Sequence, residues 1–341
     1  MKAVCFGELM MRLVPPGYLR MNQTDKLEMT FGGAEANVAV SLANYGADAV
    51  YVSRFPSNPI GEVALQSLRA MHVDTRYIAR GGDRLGIYFV EKGASMRPSK
   101  VIYDRKFSSI STIQPGMIDW DGAFGGAEWF HWTGITPALS ASAAAVTLEA
   151  CKAAKAKGIT ISCDLNYRKN LWTREQAKKI MTELVQYVDV MIANEEDSQD
   201  VFGISAEGTD IEGGKLSEAG YRSLARKLAD SFGCKKVAFT LRESFSANDN
   251  DWSGLLYDAA SGEAIRSRKY SIRIVDRVGG GDAFGGGLIY ALASGMPDAD
   301  AINFAAAASA LKHTIEGDFN RVTLDEVKAL AGGSVSGRVQ R

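Results

Sequence analysis

The sequence predicts a doubly wound α/β fold, in which a mostly parallel sheet carries helices on both faces and a small β-sheet lies beside it. Short apolar runs alternate with helix-period patterns along the chain, and most of these runs are continuous. Continuous apolar strands are typical of parallel sheets that are covered on both faces. The composition, with 46% hydrophobic and 23% charged residues, is that of a globular chain.

The predicted elements follow one another along the whole chain. Apolar runs of strand length occupy residues 3–9, 49–55, 129–134, 160–164, 188–193 and 237–241. Helix-period patterns occupy residues 34–45, 142–157, 173–188, 218–232, 282–294 and 298–314. At the start of the pattern over 173–188, Thr173 and Gln176 form a capping box, in which each side chain can bond a free backbone amide.

Two segments, 10–31 and 85–113, differ from these apolar runs and helix-period patterns because they alternate polar and apolar residues. Alternation indicates antiparallel strands with one wet face, so we expect both segments to pair as a small sheet that forms a lid. The length of 341 residues fits one large domain or two ordinary ones. We expect a single domain over 1–341, with a frayed tail at the Gly/Ser/Arg-rich residues 332–341.

Charge and cysteine content narrow the function classes. Lys and Arg number 39 against 40 Asp and Glu, a balance that argues against a nucleic-acid partner. An acid at Glu8 argues against a signal peptide, and the apolar stretch 301–311 is too short to cross a membrane. The four cysteines form no CxxC pair, which favours a reducing compartment. We therefore expect a cytoplasmic protein without a membrane partner.

The sharpest local feature is the glycine turn, defined here as Gly279, Gly280 and Gly281, which Asp282 and a helical pattern follow. Consecutive glycines at a helix N-terminus expose backbone amides, and with the helix dipole they form an anion cradle. Beside it, Asp282 could take a proton from a hydroxyl that attacks a bound phosphoryl group. The alternative is a tight packing turn with Asp282 as an ordinary first-turn acid.

Other phosphate-binding and catalytic motifs are missing from the sequence. The chain has no GxxxxGK[ST], no protein-kinase HRD or DFG string, no HExxH and no GxSxG. The glycine turn lies near the C-terminus and not after the first strand, which excludes a Rossmann site. Any nucleotide site must therefore have another design.

Further candidate residues lie at turns and strand ends. Gly33 and Asn37 precede or begin a helix and could approach a polyol, although a plain turn is the commoner reading of Gly32-Gly33. Arg168 follows a predicted strand at the edge where α/β sheets bind ligands, and could also be a surface charge. On the predicted lid, Tyr103 and Arg105 could close over a sugar acid, or they could simply belong to the solvent-exposed face of the lid.

A second strand end carries acids and an amide. Asn194 and Asp197 follow the predicted strand over 188–193, where such groups can hold hydrated Mg²⁺ near phosphates. A solvated helix start is the alternative. The three histidines, His72, His131 and His313, lie far apart in the sequence and are expected to serve the core or the surface.

In this order the motifs resemble the ribokinase-like sugar kinases, also called the phosphofructokinase-B family. Residues 32–37 are similar to its N-terminal signature, and residues 276–282 to its C-terminal one. Within the family, the strings 32–37, 85–91, 101–105, 164–168 and 313–319 are most similar to kinases of 2-keto-3-deoxygluconate. The resemblance spans roughly residues 3–325.

The resemblance implies a ribokinase-like α/β core with a lid, and transfer of the γ-phosphoryl group of ATP to the 6-hydroxyl of 2-keto-3-deoxygluconate. Asp282 would be the base and the glycine turn the anion hole. The implied sugar contacts are Gly33, Asn37, Tyr88, Tyr103, Arg105 and Arg168, with Asp318 a weaker candidate. The implied nucleotide contacts are Asn194, Thr240, Arg242, Ser244, Gly279 and Gly281, and Asn194 and Asp197 would hold Mg²⁺ through water.

Two departures from the family pattern affect the nucleotide side. Asp197 stands where the broad family has Glu, one methylene longer. Residues 240–245 lack the glycines that the family favours there. Both changes fall on residues that the resemblance places at the metal and the nucleotide.

The residue chemistry favours an acidic substrate, because a carboxylate in a closed site needs a cation such as Arg105 or Arg168. A neutral-sugar kinase such as a fructokinase, or a non-catalytic sugar-acid binding homologue, are the alternatives. The residues leave two points open. One is whether the substrate has gluconate or galactonate stereochemistry, and the other is whether a monovalent cation binds near Asp276. An exposed lid edge would favour a homo-oligomer.

Overall fold

A computed structural model describes residues 1–205 and 218–334. The strands are β1 (Lys2–Phe6), β2 (Met10–Val14), β3 (Glu28–Gly32), β4 (Asp48–Phe55), β5 (Ile78–Arg80), β6 (Gly86–Glu91), β7 (Lys100–Asp104), β8 (Trp129–Thr133), β9 (Thr160–Asp164), β10 (Val190–Ala193), β11 (Lys236–Ser244), β12 (Asp249–Asp258), β13 (Glu263–Arg266) and β14 (Tyr270–Arg273). The helices are α1 (Ala34–Asn44), α2 (Pro59–Arg69), α3 (Trp120–Phe124), α4 (Ile135–Ala138), α5 (Ala141–Ala156), α6 (Arg174–Leu184), α7 (Glu195–Phe202), α8 (Glu218–Phe232), α9 (Gly280–Ala293), α10 (Asp298–Lys312) and α11 (Leu324–Ala331).

The main sheet has the order β13-β12-β11-β10-β9-β8-β1-β4-β5, and β14 also pairs with β12. Neighbours from β11 to β5 pair in parallel, whereas β12, β13 and β14 join in antiparallel fashion. The doubly wound α/β prediction is confirmed. The carboxyl ends of the parallel strands meet at one edge of the sheet, where ligands bind in such folds.

Successive side chains of β1 show why the sheet is buried on both faces. Val4 and Phe6 belong to one hydrophobic cluster, and Ala3 and Cys5 belong to another. Because strand side chains alternate between faces, these two clusters lie on opposite sides of the sheet. The first cluster includes residues of α5, α6 and α8, and the second includes residues of α1, α2, α9 and α10.

All six predicted strands and all six predicted helices are found, with ends shifted by up to four residues. The capping box is present, because the Thr173 hydroxyl accepts from the Gln176 amide and the Gln176 side chain accepts from Thr173 N. Helices α2, α3, α4, α7 and α11, strand β5 and the antiparallel strands β12–β14 were not predicted. The short helix α7 begins at an Asn194 cap with a run of acids, which hid its helical character.

The small sheet has the order β3-β2-β6-β7. Its two hairpins, β2–β3 and β6–β7, are antiparallel as expected, but β2 and β6 pair in parallel, with Met10 opposite Gly86. Alternation within a strand cannot specify the partner's direction, and the expectation of antiparallel strands throughout was wrong at this pair. The end of the segment 85–113 is also not a strand, because residues Ser109–Thr112 form a 3₁₀ turn.

Most of the predicted frayed tail, residues 335–341, lies outside the described residues. Its first three residues are not frayed: the amides of Gly332, Gly333 and Ser334 donate to carbonyls of α11. Among the helices of the described ranges, none has the length and apolarity that a bilayer crossing requires. All four cysteines are buried free thiols.

Candidate active site

The glycine turn leads directly into α9, which begins at Gly280. Gly279 has a φ of +84°, in the left-handed region, and a Cβ there would lie 2.2 Å from the Asp318 carbonyl oxygen. A Cβ on Gly280 would lie 2.2 Å from the His313 ring, whereas a Cβ on Gly281 would point into open space. Close packing therefore accounts for glycine at 279 and 280. Only Gly281 is left without a packing reason.

Asp282 lies in the first turn of α9, and its carboxylate is anchored across the cleft. Asn37, near the start of α1, donates from Nδ2 to Asp282 Oδ2 over 2.6 Å. Burial raises the pKa of Asp282 to about 6, although the Asn37 hydrogen bond opposes this rise. A carboxylate with this pKa is ionised at neutral pH and still basic enough to accept a proton.

A cleft of about 430 Å³ opens between the carboxyl ends of the parallel strands and the small sheet. All but two of the predicted site residues line it. The residues brought together are Gly33, Asn37, Tyr88, Tyr103, Arg105, Arg168, Asn194, Asp197, Thr240, Arg242, Gly279, Gly281, Asp282 and Asp318. Gly280 faces His313 instead. Ser244 lines an adjoining cavity of about 380 Å³ with Phe245 and Arg277.

Arg105 already has a carboxylate partner. Its guanidinium donates from Nε to Glu8 Oε2 over 2.8 Å, and its second nitrogen bonds the same oxygen. Ser108 donates to Glu8 Oε1, and Arg105 and Glu8 are only 8% and 2% exposed. The guanidinium also lies 5.3 Å from the Tyr103 ring. Its charge is therefore largely neutralised inside the protein.

Arg168 differs from Arg105 in having no carboxylate partner. Within the described residues its guanidinium makes no ion pair, and the one hydrogen bond of the guanidinium goes from Nη1 to the Tyr167 carbonyl. Two carboxylates of the same cleft, Asp164 and Asp197, interact with it over a longer range. Arg168 is thus a half-buried cation that an anionic ligand could still bind.

Asp318 is part of a buried charge network behind the glycine turn. The guanidinium of Arg12 donates to Asp318 Oδ1 and to Asp276 Oδ2, each over 2.5 Å. Tyr88 donates to the other oxygen of Asp318, and Gly317 N to Asp276 Oδ2. Arg12, Asp276 and Asp318 are each less than 5% exposed. Both Asp318 oxygens are consequently occupied by protein donors.

The acids at the strand ends are suited to a hydrated cation. Asn194 uses its Oδ1 to cap α7 through the Asp197 amide, and Asp197 Oδ1 accepts from Tyr167 N. Burial raises the pKa of Asp197 to about 6, and burial with the charges of Asp197 and Asp282 raises that of Asp164 well above its usual range. Nowhere in 1–205 and 218–334 do three such ligands cluster closely enough to hold a metal directly.

The other end of the cleft is formed by β11, β12 and α10. Thr240 and Arg242 of β11 lie beside Trp252 of β12, whose ring centroid is 4.9 Å from that of His313. His313 is buried and holds its Nδ1 2.7 Å from the Ser309 carbonyl, and burial lowers its pKa to about 4. His313 is therefore a neutral wall of the cleft.

Several charged residues of this region were missed at the sequence level, namely Glu8, Arg12, Asp164 and Lys312. Arg12 lies within an apolar strand, and its burial alternates with that of Met11 and Leu13, which are half-exposed. Hydrophobicity alone would place Met11 and Leu13 on the buried face of the strand and Arg12 on the exposed face. The signal that could have found Asp164 was its place at the carboxyl end of a predicted strand.

Comparison with known proteins shows the class of the protein. The model of the pfkB family of carbohydrate kinases matches residues 1–321. The chain belongs to this family and is a carbohydrate kinase, a phosphotransferase with an alcohol acceptor.

The relatives give this class more detail. The chain is similar to a solved structure of 2-dehydro-3-deoxygluconokinase from Thermotoga maritima, with 49% identity, a TM-score of 0.94, and coverage of 98% of this chain and 100% of the other. It is also 34% identical over 335 residues to a 2-dehydro-3-deoxygalactonokinase of Haloferax volcanii, covering 98% of each chain. A 2-dehydro-3-deoxygluconokinase of Bacillus subtilis is 30% identical over 322 residues, covering 93% of this chain and 91% of the relative.

Proposed function

We propose that this kinase transfers the γ-phosphoryl group of ATP to the 6-hydroxyl of 2-keto-3-deoxygluconate. The observation that carries the proposal is the hydrogen bond from Asn37 to Asp282, which holds a carboxylate of raised pKa beside the free amides of the α9 N-terminus. This arrangement places a base next to an anion site, the two parts that phosphoryl transfer to an alcohol needs. The relatives that phosphorylate keto-deoxy sugar acids support the choice of substrate.

In this mechanism Asp282 Oδ accepts the proton of the 6-hydroxyl as its oxygen attacks the phosphoryl group. The backbone amides of Gly279 and Gly281 would donate to the phosphoryl oxygens, on which negative charge accumulates. The Gly280 amide donates to the Arg277 carbonyl and is not assigned to this site. Gly281 leaves room for that approach because a side chain there would project into the open cleft. Asn37 keeps the carboxylate oriented and leaves its other oxygen free for the hydroxyl.

We assign the sugar carboxylate to Arg168, because the guanidinium of Arg105 is already bonded to Glu8. Tyr103 and Tyr88 of the small sheet, with Gly33 and Asn37 opposite them, would surround the sugar's hydroxyl groups. Asp318 is the weakest sugar contact, since Arg12 and Tyr88 occupy both its oxygens. The small sheet would act as a lid that keeps water from the phosphoryl group.

We assign Mg-ATP to the opposite end of the cleft. Asp164 and Asp197 fit a hydrated cation, since burial raises the pKa of both carboxyls and a positive charge would relieve this. Mg²⁺ bound there would supply charge neutralisation on the phosphates. Thr240, Arg242 and, in the adjoining cavity, Ser244 would lie along the nucleotide, with Asn194 near the phosphates.

A second candidate substrate is 2-keto-3-deoxygalactonate, which a Haloferax volcanii relative at 34% identity is named for. The two sugar acids share the carboxylate that Arg168 would bind and the 6-hydroxyl that Asp282 would activate. They differ in the direction of one hydroxyl. A neutral sugar such as fructose would leave Arg168 without an ionic partner in the cleft.

The test is ATP turnover with 2-keto-3-deoxygluconate, 2-keto-3-deoxygalactonate, fructose and ribose, using wild type and Asp282→Asn. We expect turnover of the keto-deoxy acids alone. Because the amide keeps the shape but cannot take the proton, kcat should fall by about 10³-fold or more while sugar-acid binding is mostly retained. Turnover of fructose or ribose instead would discard the Arg168 assignment, and an active Asp282→Asn would discard the base.

We also propose that two copies pair through the small sheet. All five residues of its edge strand β7 are exposed, and an unpaired edge strand is a site for association. Light scattering at assay concentration should then give more than the 36.7 kDa of one chain.

A further inference from the structure

The ends of two helices meet at the glycine turn with opposite electrostatic sign. The N-terminus of α9 provides the amides of the anion hole and carries a positive partial charge. The C-terminus of α10 lies beside it: Ser309 donates to the Gly280 carbonyl over 2.6 Å, and Gly280 packs against the His313 ring. A helix C-terminus carries a negative partial charge, so α10 would weaken the field that an anion meets at α9.

Two buried carboxylates add to this negative charge. Asp318 contacts the turn through its carbonyl, which packs against the Gly279 Cα, and Asp276 lies three residues before the turn. Both are bonded to Arg12, but a single guanidinium balances only one of the two charges. Arg277 interacts with Asp276 over a longer range, but it is only half-buried and lines the cleft itself. Left at that, the protein would hold a buried net negative charge behind a site that must bind phosphate.

Lys312 supplies a positive charge that offsets this buried net negative charge. It is the last residue of α10, and its side chain is 0% exposed. Its Nζ donates to the Ile315 carbonyl over 3.3 Å, just beyond the helix end, and its Cε would lie 3.2 Å from a Cβ on Gly279. The ammonium thus lies directly behind the turn, within range of Asp276, Asp318 and Asp282.

A buried ammonium is costly, because desolvation favours its neutral form. Burial does lower the pKa of Lys312, while the charges of Asp276 and Asp318 oppose this. An apolar side chain of the same length would fill the same space without that cost. A lysine at this position therefore indicates a role for its positive charge and not only for the volume of its side chain.

We propose that Lys312 is a positioning residue for phosphoryl transfer, whose buried ammonium neutralises the α10 C-terminus and the second carboxylate behind the glycine turn. With it, two carboxylates face two cations, and the amides of α9 act on the phosphoryl group undiminished. The proposal rests on the function proposed above for the turn. It assigns Lys312 no contact with either substrate.

The test compares Lys312→Met, which keeps the length and loses the charge, with Lys152→Met at an exposed position of α5. Because the lost charge acts through the turn, kcat should fall by about 10–100-fold in Lys312→Met, less than for loss of an anion-hole donor, while the KM for the sugar acid changes by about twofold or less. Lys152→Met should match wild type. An unchanged kcat in folded Lys312→Met would overturn the proposal.

A purely structural role is separated by two readouts that stability does not move. Affinity for the non-hydrolysable analogue AMP-PNP should fall more than affinity for ADP, because only the former presents a γ-phosphate to the turn. The acid limb of the kcat profile should also move to higher pH, since the Lys312 charge helps to keep Asp282 ionised. Lower thermal stability with an unchanged AMP-PNP to ADP ratio would reduce Lys312 to a packing residue.

The nucleotide measurement also separates this proposal from the choice of sugar. If wild type turns over neither keto-deoxy acid but Lys312→Met still loses AMP-PNP affinity selectively, the proposed substrate fails and the role of Lys312 stands. If wild type phosphorylates the sugar acid and the ratio of AMP-PNP to ADP affinity is unaffected in Lys312→Met, the proposed substrate stands and the role of Lys312 fails.

Discussion

The charged residues on the two walls of the cleft differ in whether they form ion pairs within the protein. The small-sheet wall is defined here by Arg105 and Asp318, which line the cleft, and by their buried partners Glu8 and Arg12 behind them. Each of these charged groups is bonded to an opposite charge and less than 9% exposed. On the strand-end wall, defined by Asp164, Arg168 and Asp197, no ion pair forms among the residues that the structure describes. The same cleft therefore contains charges that the fold has satisfied and charges that it has not.

The difference indicates which charges serve the scaffold and which serve the ligand. A buried ion pair fixes the position of its elements, and breaking it leaves an isolated charge in a medium that solvates it poorly. A charge without a partner in a cleft gains most from an incoming ligand of opposite sign. On this reasoning the small-sheet wall holds the lid to the glycine turn, and the strand-end wall is the one that we propose for the sugar acid and Mg-ATP.

The largest expected effect is on stability, at the small-sheet wall. Arg105→Met preserves bulk but leaves the Glu8 carboxylate buried without its cation, so the free energy of unfolding should fall by about 3–5 kcal/mol. Arg168→Met is the matched change on the other wall and should cost about 0.5 kcal/mol or less. Urea unfolding of both variants measures the contrast. Equal losses would mean that the two walls do not differ in this way.

The next effect concerns binding at the strand-end wall. Arg168→Met should raise the KM for the keto-deoxy acid by about 10–100-fold, the worth of one charge-assisted hydrogen bond of 1.5–3 kcal/mol. The adjacent exposed Lys169→Met is the control, because it removes a positive charge of the same region without facing the 430 Å³ cleft. Initial rates over a range of sugar-acid concentrations decide it. Similar KM values for both variants would point to general electrostatic attraction and not to a specific contact.

The smallest effect is a pH dependence of catalysis. In the proposed mechanism Asp282 is a base only when ionised, and because its pKa is raised to about 6, kcat/KM should fall about tenfold per pH unit below that value. Burial raises the pKa of Asp197 to about 6 as well, so Asp197→Asn serves as the control and should keep the acid limb. Direct detection of ADP avoids coupling enzymes at low pH. An acid limb near pH 4 would contradict the raised pKa of Asp282.

Much of the fold and part of the site could be predicted because they depend on local patterns. The strand-length segment over 160–164 lies between two helix-period patterns, which predicts a parallel strand, and Arg168 follows from its place after that strand. Glycines before a helix indicate exposed amides, which identified the turn and Asp282. These features need only a few consecutive residues.

Other features depend on groups far apart in the chain. The partner of Arg105 is Glu8, 97 residues away, and the partners of Arg12 lie 264 and 306 residues away. No local pattern distinguishes a paired arginine from an unpaired one. The expectation that Arg105 and Arg168 were equivalent candidates for the sugar carboxylate could not be refined until both partners were known.

By itself the sequence determined six of the strands and six of the helices, the two-faced main sheet, the glycine turn and the family of the protein, because periodicity and short motifs encode each of them. The tertiary structure alone decided that β2 and β6 pair in parallel, that Arg12 lies on the buried face of its strand, and that Lys312 lies behind the turn. The physical reason is the same in each case. Electrostatic and strand-pairing energies depend on distances between segments, which only the folded chain establishes.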